Sequence, residues 1–146
     1  MNDFSDWKVI DTYSTKQAVK DGFLVRVDQQ ISKEAGIKFP VYLTRAVWDK
    51  YVEIPEGFEQ VQDLDGRLWD VLFMFMFDAR KCASQVLVYQ LNVLLADKGD
   101  WETNEKLDPD LDGNRNMRLV TLKAVIQAQD FDDPSPAIFI MKPGED

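Results

Sequence analysis

Hydrophobic and polar positions change period several times along this chain, and each change predicts an element. Ser14 followed by TKQAVKDG reads as a short helix with a hydroxyl cap, Ala18 and Val19 turned inward, and Gly22 as its left-handed stop. FLVRV, residues 23–27, is rich in branched side chains and reads as a strand. QQISKEAG returns to a helical turn or two ending at Gly36. FPVYLT is extended, because Pro40 pushes Phe39 out of the helical region. Thr44 then caps a helix, RAVWDKYV, in which Val47, Trp48 and Tyr51 share one face until Pro55 and Gly57 end it.

The middle of the chain is less regular. RLWDVLFMFMFDARKCA places Leu68, Leu72, Phe75 and Ala79 at helical spacing, yet residues 71–77 are apolar all round. Its length and its Leu, Met, Ala and Arg content predict a long helix near residues 66–83. QVLVYQLNVLL (85–95), RLVTLKAVIQA (118–128) and AIFIM (137–141) carry β patterns, the last set off by a turn at Pro134 and Pro136. The expectation is an α+β fold: an antiparallel sheet of three or more strands in the C-terminal half, packed against the long helix, with short helices and strands in the N-terminal half. One domain spans residues 1–146, residues 1–7 are expected to be loosely ordered, and residues 97–117 form an acidic loop or insertion.

Composition narrows the chemistry. The chain has no histidine and one cysteine, Cys82. Histidine-based nucleophile systems, histidine-ligated metals and thiolate zinc clusters are therefore excluded, leaving carboxylates, lysines, tyrosines or oxygen-ligated cations. A lone cysteine fits a reducing compartment, the N-terminus has no signal-peptide core, and the run VLFMFMF falls far short of the roughly 18 residues a membrane span needs. The expectation is a cytoplasmic protein without a membrane segment or a cofactor.

With 17 basic against 26 acidic residues the net charge is −9, which opposes direct nucleic-acid binding. The excess gathers at Asp97, Asp100, Glu102, Glu105, Asp108, Asp110 and Asp112, and again at Asp130, Asp132 and Asp133; both groups are expected to be solvated surface. Carboxylates spaced in this way also permit imitation of a nucleic-acid backbone.

Several segments invite chemistry. DPDLDGNRNMRL matches the first half of a calcium-binding loop at Asp108, Asp110, Asp112 and Gly113, with Asn114 offering a carbonyl. Leu119 stands where the closing glutamate belongs and a strand follows where a helix should, so these residues form a weak metal candidate beside a plain turn reading. In DGRLWDVL, Arg67 and Asp70 read either as anion clamp and base, or as a surface arginine and an acid near a helix N-terminus. Asp49, Trp48 and Trp69 join them as candidate ligand or partner contacts. Phe73, Met76 and Phe77 belong to an apolar surplus that one small sheet cannot bury, and mark a candidate interface with a partner protein or a second copy.

The ordered segments DTYSTKQAVKDGFLVRV, AGIKFPVYLTRAVWD, DLDGRLWDVLFM, LVTLKAV and IFIMKPGED resemble an uncharacterised family, a domain of unknown function carried by bacterial plasmids, phages and integrated mobile elements. The resemblance runs from about Ile10 to the C-terminus, with LTRAVW and DGRLWDVL its most specific pieces and residues 97–116 its main departure. It implies an intracellular accessory protein of a mobile element and carries no catalytic residue with it. Two readings stand: a non-enzymatic protein that binds a partner, in counter-defence or in modulation of a host nucleic-acid enzyme, and a small enzyme or ligand-binding domain using Arg67 and Asp70. Convergence of Arg67, Asp70 and Asp49 in one cavity would favour the second.

Overall fold

In a computed structural model, described for residues 14–60, 62–81, 84–96, 101–107 and 116–145, the expected helical caps form. Helix α1 (Thr15–Lys20) starts where the Ser14 hydroxyl accepts from the Gln17 amide at 3.0 Å, and it stops before Gly22, whose φ of 86° suits glycine. Strand β1 (Leu24–Arg26) leads through helix α2 (Gln29–Glu34), capped by Asp28, to strand β2 (Val41–Thr44). Thr44 caps helix α3 (Arg45–Val47), which then widens into a π-helical turn over Trp48–Val52, so the single helix expected there changes its hydrogen-bond period midway. The long helix α4 spans Leu64–Ala79; the Asp63 carboxylate caps it by accepting from Gly66 at 3.3 Å. It starts slightly earlier and ends earlier than its pattern predicts.

Strands β3 (Val86–Leu94), β4 (Glu105–Leu107), β5 (Met117–Asp130) and β6 (Asp133–Met141) join β1 and β2 in one six-stranded sheet. The order is β1-β2-β6-β5-β3. All pairs are antiparallel except β2 with β6, so the N-terminal strands extend the C-terminal sheet through one parallel rung. β5 is the organising strand. One of its edges carries β3, and the other carries β4 opposite residues 118–120 and β6 opposite residues 123–130.

Pro134 and Pro136, expected in a turn, lie within β6. The Ile138 amide donates to Pro40 on the β2 side, so Pro136, two residues earlier, turns its missing donor the same way. β2 begins pairing only at Ile138, so Pro136 interrupts no ladder bond.

The main core lies between the sheet and α2–α4. Leu43, Ile140, Leu122 and Tyr89 project from four strands onto Val47, Tyr51, Val71, Leu72 and Phe75. The other sheet face buries Tyr42, Ala137, Phe139 and Met141, with Val19 of α1 packed against them. This arrangement resolves the all-round apolar run: Leu72 and Phe75 enter the core, Met74 and Met76 flank it, and Phe73 and Phe77 face outward at 41% and 48% exposure. No helix among the described residues is long and apolar enough to cross a membrane.

Candidate interaction surface

β3 alternates without interruption. Tyr89, Leu91 and Val93 point into the core, while Val86, Val88, Gln90 and Asn92 present exposed side chains on the other face, Val88 at 56%. The backbone alternates with them. Ile126 donates to Gln85, so odd-numbered β3 residues exchange hydrogen bonds with β5, and Val86, Val88, Gln90, Asn92 and Leu94 turn their amides and carbonyls to the outer edge. Among the described residues no strand pairs with that edge.

Side chains close its two ends. Ser84 Oγ accepts from the Val86 amide at 3.2 Å, and Arg67 Nη1 donates to the Leu94 carbonyl at 2.7 Å. Between them the outward amides and carbonyls of Val88, Gln90 and Asn92 meet no partner among the described residues. α4 runs back along this strand: Arg67 reaches Leu94, the Tyr89 hydroxyl donates to the Val71 carbonyl at 3.0 Å, and Phe75 meets the Tyr89 ring edge-on. Asp70, Met74 and Asp78, one helical stripe, form the wall of a groove of about 680 Å³ whose floor is the β3 edge. Burial pushes the Asp70 carboxyl up, against the pull of the Arg67 guanidinium. Beyond that wall Trp69 stacks on Phe73 at 4.6 Å, and the Lys81 ammonium lies 4.1 Å above the Phe77 ring.

Arg67 is not a surface arginine. It is 5% exposed, and it ties Leu94 to the Val52 carbonyl (Nε, 3.1 Å) and to Gln62 (3.3 Å). Burial pulls its guanidinium down to about 10, with Asp70 opposing the shift. Asp49 sits apart, 3.7 Å from Arg45 on the π-turn, and lines a separate hollow beside Pro55. Arg67, Asp70 and Asp49 therefore do not converge. Trp48 and Met76 pack partly buried against the main core, leaving Phe73 and Phe77 as the outward members of the expected interface. Asp108, Asp110, Asp112 and Asn114 lie outside the described residues.

A second polar feature was not legible in the pattern. Glu105, expected in a solvated loop, is 7% exposed in β4, accepts from the Tyr51 hydroxyl at 2.5 Å and lies 3.9 Å from Lys50 Nζ. Burial, and then this carboxylate, push Tyr51 far above the usual phenol range. The Asn104 amide donates to the Tyr51 oxygen and to the Thr121 carbonyl, bridging the break in β5's edge where β4 gives way to β6. Every partner is internal, which makes this cluster a structural tie. Asp130 is likewise occupied: its carboxylate accepts from the amides of Thr15 and Lys16 and seals the N-terminus of α1.

Across its full length, residues 1–146, the chain belongs to a family of unknown function, DUF6573. No curated protein and no solved structure matches it.

Proposed function

We propose that this chain is a non-enzymatic accessory protein of a mobile genetic element that acts by binding another protein, in counter-defence or in modulation of a host nucleic-acid enzyme. The observation that carries the reading is the open β3 edge. A strand whose Val88, Gln90 and Asn92 backbone groups meet no partner among the described residues, and whose sequence VLVYQLNVL contains neither charge nor proline, is a template for another chain. Exposed Phe73 and Phe77 on the adjoining helix widen the apolar surface beside it. The net charge of −9 supports a partner with a basic surface, such as a nucleic-acid enzyme, and disfavours nucleic acid itself. The mobile-element context rests on the sequence resemblance.

Affinity capture from a nuclease-treated bacterial lysate tests this reading, comparing the tagged chain with its Gln90→Pro and Asp49→Asn variants. The expected result is a stoichiometric protein retained by the wild type and Asp49→Asn and lost from Gln90→Pro. Retention of the same protein by folded Gln90→Pro would remove the edge from the reading, and absence of any enriched protein would count against the function itself.

A further inference from the structure

Resting on that reading, we infer that the β3 edge receives an extended segment of a partner carrying basic, apolar and basic side chains at alternate positions. Geometry sets this pattern. A strand added beside β3 turns every second side chain toward the helix layer, where Asp70, Met74 and Asp78 wait along the groove wall. Eight residues of helix separate Asp70 from Asp78, about 12 Å at 1.5 Å per residue, with Met74 midway. Same-face positions i, i+2 and i+4 of a strand fall about 0, 7 and 13 Å along its axis. The two rows match, so a lysine or arginine meets each carboxylate and an apolar residue meets Met74.

The same acids disfavour a second copy as occupant. Antiparallel pairing of β3 with its own copy would place both α4 helices on one face, their Asp70 and Asp78 rows toward each other, on chains that each carry −9. An uncharged strand edge under an acidic wall instead complements a basic strand.

The test is fluorescence anisotropy of a labelled Thr-Lys-Thr-Val-Thr-Lys-Thr peptide on the full chain, against peptides with Glu for Lys and with alternate amides N-methylated. Binding of the lysine peptide is expected, weakening with salt, at least about ten-fold tighter than the glutamate peptide, and lost on N-methylation. Asp70→Asn and Asp78→Asn should each weaken it by about ten-fold, with Asp49→Asn without effect. The N-methylated peptide tests strand addition without altering the protein, should Gln90→Pro fail to fold. Equal binding of lysine and glutamate peptides would overturn the basic-partner inference and leave the edge reading intact. Absence of peptide binding together with a dimer in sedimentation that Gln90→Pro dissociates would make the second copy the occupant and overturn the inference. Absence of both peptide binding and such a dimer would overturn the inference and the edge reading together.

Discussion

Replacing Arg67 by methionine removes two hydrogen bonds that a charged donor makes to buried carbonyls, those of Leu94 at 2.7 Å and Val52 at 3.1 Å, while filling much of the same volume. Hydrogen bonds to charged groups contribute about 1.5–3 kcal/mol each net of their exchange with water, so losing both should cost about 3–6 kcal/mol. That is a large share of the roughly 5–15 kcal/mol by which a domain is stable. Arg67→Lys reaches one carbonyl at a time and should lose about half as much. Urea titration followed by tryptophan fluorescence reads the effect. At a slope of about 1–3 kcal/mol per molar, the Arg67→Met midpoint should fall by at least about 1 M with the slope unchanged. Amide exchange should accelerate most at the Leu94 end of β3, where α4 lets go of the sheet. A midpoint within about 0.3 M of wild type, or acceleration spread evenly over β3, would refute the view that Arg67 locks the helix to this edge.

Three further outcomes follow from the same geometry. Tyr51→Phe should cost about 1.5–3 kcal/mol by removing a donor from buried Glu105, and a double-mutant cycle with Glu105→Gln should show coupling above about 0.5 kcal/mol; additive losses would contradict a direct bond. Phe75→Ala should cost about 3–5 kcal/mol, whereas Phe73→Ser and Phe77→Ser, which each give up one ring contact at the surface, should cost no more than about 1.5 kcal/mol in thermal melts; comparable losses at all three would mean that the outward aromatics are core. Asp130 governs acid behaviour: partial burial would raise its carboxyl, but amide bonds from Phe131, Lys16 and Thr15 outweigh this and hold it below the usual range. Its stabilisation is full above about pH 4 and is lost as pH falls through the lowered native value, so Asp130→Asn should flatten the melting profile below about pH 4; an unchanged profile would sink the assignment.

Resolution of the run at residues 71–77 shows where sequence reasoning stops. Its composition and length carry the helix, because propensity and capping act within a few residues. Which aromatic stays outside depends on how much sheet lies opposite, a quantity no local window contains. The acidic segment repeats the point. Seven acids against two lysines read as solvated surface, yet Glu105 is drawn into the core because β4 pairs with β5 and brings it under Tyr51, 54 residues away in the chain.

By itself the sequence determined the class of fold, the capped helices at Ser14 and Thr44, the long helix, the three long strands and the absence of histidine chemistry. These follow from the period of side chains and the reach of a few bonds. Tertiary structure decided that Arg67 is a buried tie, that Asp49 stands apart from Arg67 and Asp70, and that β3 lies at one end of the strand order with no strand beyond it among the described residues. Strand order decides those facts, because a hydrogen-bonding edge is open or closed according to which distant segment lies beside it.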